Sequence, residues 1–240
     1  ARGVKIIGYG QKGREIKLLR RAAIPDGQEL LIEVGGREYN VTLPLVGSFM
    51  AMNALCALGL VMAGGAAADK IIPLMEKLQG APGRLQLVDG HPAGAAVYID
   101  YAHTPDALEN ILKALRPHTD GRLFCIVGCG GDRDPGKRPI MGRLADDLAD
   151  VAIITDDNPR SEDPAKIRAA MMAGTKRARE IGGRREAIRT AVKELEKGDV
   201  LVIAGKGHEQ GQIIGARIEP FDDVEEARAA IALVREGVAA

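Results

Sequence analysis

The chain has 240 residues, enough for one large domain or two small ones. Lys plus Arg and Asp plus Glu number 33 each, so the charge balance offers no basic surface for nucleic acid or an anionic membrane, and neither partner is expected. Apolar residues make up 46% and aromatics only 3%, so the core must be built from Ala, Val, Leu and Ile. Three Cys without disulfide spacing point to a reducing cytoplasm. Cys125 and Cys129 stand in a strand and its exit, with no second pair or His cluster, and read as core residues rather than zinc ligands. No apolar run reaches membrane-spanning length, and no signal peptide is visible. The chain begins Ala1-Arg2 rather than Met, which reads as a processed chain or a segment of something longer.

Residues 4–7, 28–34 and 37–43 read as strands, the last two joined in a hairpin through Gly35-Gly36. Ser48 is placed to cap a small-residue helix over 49–63, ended by Gly64-Gly65. A second helix over 67–78 runs into Gly80-Ala81-Pro82-Gly83, which marks a boundary between domains 1–82 and 83–240. A regular alternation follows. Strands are expected over 95–99, 123–127, 151–154 and 200–204, and helices over 105–115, 138–148, 164–180 and 184–197. Asp163 and Pro164 open the third of these helices, and Gly198 sits past the end of the fourth. Residues 212–214 and 216–218 form a hairpin around Gly215, and Asp222 with Glu225 opens a last helix to about 234. The fold class is α/β, an open and mostly parallel sheet covered on both faces.

Four strand exits are polar or rich in Gly, and such exits are where open α/β sheets bind ligands. In Asp100-Tyr101-Ala102-His103-Thr104-Pro105, Asp100 and His103 could hold a metal, a ribose hydroxyl or each other, or the stretch is a helix-opening turn with Thr104 as cap. In Gly128-Cys129-Gly130-Gly131-Asp132-Arg133, continuing to Lys137-Arg138-Pro139, successive amides could form an anion nest beside three basic residues. Arg133 stands where a dinucleotide fingerprint needs its third Gly, which speaks against a dinucleotide. Asp157-Asn158-Pro159-Arg160 is stiffened by Pro159, with Asn158 as donor and acceptor and Arg160 as a fork for a carboxylate. Its ordinary alternative is a turn. Gly205-Lys206-Gly207-His208-Glu209 exposes backbone and offers Glu209 to a cation, while His208 reads as structural. Arg133, Asn158, Arg160 and Glu209 together suit an amino acid, and two arginines suit one with more than one carboxylate.

These motifs, in this order, resemble those of the Mur ligase family, and specifically its diaminopimelate-adding members, over nearly all of residues 45–236. The resemblance implies that residues 1–82 are the later part of a central ATPase domain and that 83–240 are a Rossmann-like domain that brings the amino acid. It implies that Arg133, Asp157, Asn158, Pro159, Arg160, Gly205 and Glu209 bind meso-diaminopimelate, and that Asn53, Arg84, Asp100 and His103 lie near ATP. Met50 stands where the family often has Asn. The family's Gly-Thr-x-Gly-Lys-Thr phosphate loop does not occur in the 240 residues. Catalytic residues and Mg2+ ligands are therefore expected before residue 1, and the chain alone is expected to be inactive. The implied reaction is ATP-dependent addition of meso-diaminopimelate to UDP-MurNAc-L-Ala-D-Glu in peptidoglycan synthesis, by a cytoplasmic monomer. A binding-only module, a lysine-adding ligase and a folylpolyglutamate-synthase-like ligase are the alternatives. The Asp-Asn-Pro-Arg loop speaks against the last two.

Overall fold

The computed structural model describes Val4 and residues 6–239 and divides into two compact units, Ala1–Gln79 and Gly80–Ala240. The first unit begins with a four-stranded sheet, β1 (Tyr9–Gly10), β2 (Ile16–Ile24), β3 (Gly27–Val34) and β4 (Arg37–Leu43), paired in that order. Gly35 and Gly36 both take positive φ, 59° and 78°, as a two-residue hairpin turn between β3 and β4 requires. Of the strand expected over 4–7, Lys5 lies outside the described residues, and Val4, Ile6 and Ile7 take no strand; Ala1 and Arg2 also lie outside. β2 escapes the sequence pattern because a bulge between Leu18 and Arg20 breaks its two-residue alternation.

Helix α1 (Ser48–Ala63) lays Ala51, Ala54, Leu55 and Leu58 on the sheet residues Ile16, Leu30, Ile32 and Leu43. Gly47, not Ser48, holds the cap position, and no side chain caps this helix. The buried Gln28 fixes the approach instead: its Nε2 donates to Leu45 O at 2.7 Å and Gly47 O at 2.8 Å. The helix expected over 67–78 is only α2 (Ala68–Ile71), followed by a 3-10 segment, Ile72–Lys77. Pro73 supplies no amide hydrogen to continue an α-helix there.

The second unit holds a six-stranded sheet. Its strands are β5 (Gln86–Val88), β6 (Ala96–Asp100), β7 (Leu123–Val127), β8 (Val151–Ile154), β9 (Arg179–Glu180) and β10 (Val200–Ala204). Their order is β5-β6-β10-β7-β8-β9, and every pairing is parallel except that of the edge strand β5 with β6. The helices are α3 (Pro105–Leu115), α4 (Lys137–Leu148), α5 (Pro164–Met172), α6 (Arg184–Glu194) and α7 (Asp223–Ala239). Alternate residues Val97, Ile99, Phe124, Ile126, Leu201 and Ile203 pack against α6 and α7. A hairpin, β11 (Gly211–Ile214) and β12 (Arg217–Pro220), turns at Gly215. Cys125 and Cys129 are buried, and burial pushes both thiols up to about 12.

Two helices of this second unit are also shorter than the sequence suggests. α5 stops at Met172 rather than 180, because Gly174 passes so close to Pro139 that an added Cβ would lie 2.0 Å from its carbonyl oxygen. The buried Asp146 carboxylate then accepts the amides of Lys176 and Arg177 at 2.8 and 3.2 Å and redirects the chain into β9. α6 ends at Glu194 rather than 197, where Asp199 accepts the Glu196 amide at 2.9 Å.

Candidate functional site

Register decides where the exits meet. Ala204 of β10 pairs with Asp100 of β6 on one side and Val127 of β7 on the other, and Val127 pairs with Ile154 of β8. The carboxyl ends of four parallel strands are therefore level, and their exit loops rise together around a cleft of about 630 Å³. Arg133, Asp157, Asn158, Arg160, Gly205 and Glu209 all line it.

The exit of β6 does not pair Asp100 with His103. Asp100 is buried, its two oxygens accepting the amides of Leu85 and Ala102, each at 2.8 Å. Burial pushes its carboxyl up, against the opposing pull of those amides and of Arg84. His103 instead donates from Nδ1 to Tyr101 O at 2.8 Å, since a carbonyl can only accept. Thr104 caps α3 through the Ala107 amide. Arg84 stacks 4.9 Å from the Tyr101 ring, with the rings of His103 and His208 at 4.6 and 5.3 Å on the same tyrosine. His208 thus belongs to a cluster beside the cleft that the sequence alone did not place.

The Gly-rich exit of β7 is not an open anion nest. A Cβ on Gly128 would lie 2.6 Å from Thr155 O, and one on Gly131 would lie 1.9 Å from Pro159 O. The Gly131 amide is already taken by Asn158 O at 2.9 Å. The glycines let two loops meet backbone to backbone, with Pro159 at that contact and not among the residues lining the cleft. Asp132 ties the same loops by accepting Ser161 Oγ at 2.6 Å, a bond that holds its carboxyl below the usual range. Of the three basic residues, Arg133 and Lys137 reach the cleft, whereas Arg138 turns inward to Glu162 at 2.8 Å.

The exit of β8 carries Asp157, Asn158 and Arg160 at the cleft. Arg160 adopts φ +52°, a left-handed conformation that costs a non-Gly residue about 1 kcal/mol. The β11 strand holds it there: Arg160 N donates to Ile213 O at 3.0 Å, and Gly215 N to Arg160 O at 2.7 Å. Its Nη1 donates to Gly131 O at 2.9 Å, while Nε and Nη2 meet no acceptor among the described residues. Asn158 is buried, and its Oδ1 accepts from Lys206 Nζ and the Ile213 amide, both at 3.0 Å. Its Nδ2 donates to Glu209 Oε2 at 2.9 Å. The Asp157 carboxylate lines the cleft without a protein donor among the described residues.

The exit of β10 completes the site. Gly205 has φ +120°, and a Cβ there would lie 2.7 Å from Asp157 Oδ2, so only Gly fits. Lys206 is fully buried and reaches Glu209 Oε2 at 3.3 Å, leaving Oε1 open. Beneath it Arg184 and Asp223 form a pair with both side chains buried, Nε to Oδ1 and Nη2 to Oδ2, each at 2.7 Å. Burial pushes the Asp223 carboxyl up, and the Arg184 guanidinium works against that push. Sequence reading passed over Lys206 and Arg184, because each looks like an ordinary surface cation until its partners are known.

The family whose description reads "Mur ligase, glutamate ligase domain" matches residues 83–207. The chain belongs to that family. The UDP-N-acetylmuramoyl-L-alanyl-D-glutamate–2,6-diaminopimelate ligase of Caulobacter vibrioides is 54% identical over 224 residues, covering 93% of this chain and 46% of the relative. The protein of the same name from Chelativorans sp. is 52% identical over 231 residues, covering 96% and 48%. A solved structure of a ligase of that name superimposes with a TM-score of 0.77 at 39% identity, over 96% of this chain and 48% of its own. The chain thus spans about half the length of the curated relatives it matches. Asn53, by contrast, stands in the other unit, exposed on α1, with its Nδ2 3.9 Å from the Sδ of the buried Met50.

Proposed function

We propose that this chain supplies the amino-acid-binding part of a cytoplasmic ligase that joins meso-diaminopimelate to UDP-MurNAc-L-Ala-D-Glu in peptidoglycan synthesis. The observation that carries the reading is the opposition, in one cleft, of two available acceptors to one available fork. Glu209 Oε1 and the Asp157 carboxylate face an ammonium, and Arg160 Nε and Nη2 face a carboxylate. Diaminopimelate carries an ammonium and a carboxylate at each end, so one end can be gripped while the amine of the other attacks. Lysine has an ammonium but no carboxylate at its side-chain end, and Arg160 would then have nothing to bind.

The second substrates are ATP and the UDP-linked dipeptide. ATP converts the D-Glu side-chain carboxylate to an acyl phosphate; the amine attacks it, the amide bond forms and phosphate leaves. The residues of this chain bind and aim the amine, turning a bimolecular attack into an oriented one. Arg84 and His103, around Tyr101, form a cationic and aromatic surface suited to a nucleotide. Asn53, in the first unit, is separately proposed to bind ATP. Asp100 acts indirectly, because its oxygens hold backbone amides. Mg2+ is assigned to the full-length ligase in this reading, and no step is placed on it here; among the described residues, no group of three or more His, Cys, Asp or Glu could hold a metal ion. The chain acts as a monomer in this reading. Residues 1–82 serve as the later part of the ATP-binding domain and 83–240 as the amino-acid-binding domain.

Calorimetric titration of the chain with meso-diaminopimelate and with L-lysine tests the reading. Diaminopimelate is expected to bind and lysine to bind at least tenfold more weakly. No heat with diaminopimelate, or equal affinity for the two, would overturn it. With no Gly-Thr-x-Gly-Lys-Thr loop in its sequence, the chain should form no tripeptide from ATP by itself.

A further inference from the structure

Lys206 is fully buried, yet it belongs to no scaffold pair that closes on itself. Its Nζ lies 3.0 Å from Asn158 Oδ1 and 3.3 Å from Glu209 Oε2. Those two residues are bonded to each other at 2.9 Å through Asn158 Nδ2, so the three side chains form a closed triangle. The ammonium of Lys206 has no exposed surface and cannot touch a ligand, whereas the Glu209 side chain is 35% exposed. The Asn158 orientation follows from its partners. Oδ1 faces two donors, Lys206 Nζ and the Ile213 amide, and Nδ2 faces a carboxylate. Turning the amide over would set NH2 against two donors and a carbonyl oxygen against Glu209.

We propose that Lys206 is a positioning residue for diaminopimelate recognition: its buried ammonium fixes the amide orientation of Asn158 and draws one oxygen of Glu209 inward, so that the other oxygen stands presented to the ligand ammonium. This rests on the reading of the cleft as an amino-acid site. It goes beyond that reading in assigning the alignment of Glu209 to a side chain with no access to the cleft. Without Lys206, Asn158 Oδ1 would keep one donor instead of two. Glu209 would lose its inward anchor and be free to swing away from the cleft wall. Arg184 interacts electrostatically with this carboxylate from beneath, and Asp157 lines the same cleft. Lys206 and Asn158 alone are hydrogen-bonded to it among the described residues.

The test is a double-mutant cycle on binding of meso-diaminopimelate to the whole chain, with Lys206→Met and Glu209→Gln, alongside side-chain amide NMR of Asn158. Lys206→Met is expected to weaken binding at least tenfold. It should add less than threefold to the loss already caused by Glu209→Gln, because Lys206 acts through Glu209. Asn158 should lose its distinct, slowly exchanging NH2 resonances in Lys206→Met and keep them in wild type. Losses that multiply independently, or an Asn158 amide unchanged by Lys206→Met, would overturn the proposal. Should Lys206→Met fail to fold, Lys206→Gln, which keeps a donor without the charge, takes its place in the binding cycle under the same criteria, and its Asn158 amide is expected to stay as in wild type. If wild type binds no diaminopimelate, the amino-acid reading falls and the ligand-recognition role of Lys206 falls with it. If wild type binds and the cycle is additive, only the Lys206 proposal fails.

Discussion

Two ion pairs lie within the same stretch of the fold and behave differently. Arg184 and Asp223 are both fully buried, and their two charges are matched by two parallel hydrogen bonds. Arg184 also donates to Ala204 O at 3.1 Å, so the pair anchors the last residue of β10. Lys206 and Glu209, only a few residues further on, form a half-open pair, with the cation buried and one carboxylate oxygen left over at the cleft. A closed pair satisfies itself and has no capacity left for a ligand. A half-open pair holds a charged acceptor in place while leaving it incomplete, which is what a recognition site requires.

The closed pair carries the largest expected effect. Arg184→Ala leaves a buried Asp223 without its partner and is expected to cost about 3–5 kcal/mol of stability. Urea denaturation measures it, and a loss below about 1 kcal/mol would mean that the pair is not the anchor described.

Gly205 stands between the two pairs and sharpens the contrast. Ala at this position must hold φ near +120° and place its Cβ 2.7 Å from Asp157 Oδ2. Gly205→Ala should cost about 1–3 kcal/mol of stability. It should also weaken diaminopimelate binding by more than tenfold, because relief of the clash moves Asp157. Calorimetry that finds unchanged affinity would show that Asp157 is not a ligand group.

The opposite end of β10 provides the smallest effect. Asp199 is buried beside Arg122, which donates to it from Nη2 at 2.7 Å and from its amide at 2.7 Å. Burial alone would push the Asp199 carboxyl up, but these bonds and the Glu196 amide outweigh it and hold the carboxyl below the usual range. A folded-state value below the unfolded one gives stability that is present above the ordinary carboxylate range, about pH 4, and lost as pH falls through the lowered value. Asp199→Asn should therefore cost about 1–2 kcal/mol at pH 7, with the deficit shrinking under acid and diaminopimelate binding unaffected. Denaturation at pH 7 and well below about pH 4 reads the first, and a deficit that does not shrink would contradict the assignment.

Much of the scaffold was legible because it rests on local rules. The strands over 123–127, 151–154 and 200–204 are apolar runs with nowhere to go but a buried sheet, and Thr104-Pro105 opens α3 by capping chemistry. The cleft residues were legible as loop composition. What they do to one another was not. Asn158 reads as a free amide, but its side chain is held by three partners, Lys206, Glu209 and Ile213, some fifty positions away. The Gly-rich loop reads as a cradle for an anion, and only the approach of the Thr155–Pro159 carbonyls shows that the glycines accommodate a neighbouring loop. Asp100 reads as a ligand, and the Leu85 and Ala102 amides that fill it depend on how the chain re-enters the sheet. α5 reads as long because Lys176, Arg177 and Arg179 are good helix formers, and a buried Asp146 overrides that preference.

Arg160 is proposed to meet the carboxylate that distinguishes diaminopimelate from lysine. A cycle of two ligands against two proteins isolates that one contact: meso-diaminopimelate and L-lysine, each titrated into wild type and Arg160→Ala. Wild type should prefer diaminopimelate by at least tenfold, about 1.4 kcal/mol. In Arg160→Ala the preference should collapse to within a factor of two or three, with lysine affinity nearly unchanged. A preference that survives the substitution, or an equal loss of both ligands, would place the discriminating contact elsewhere.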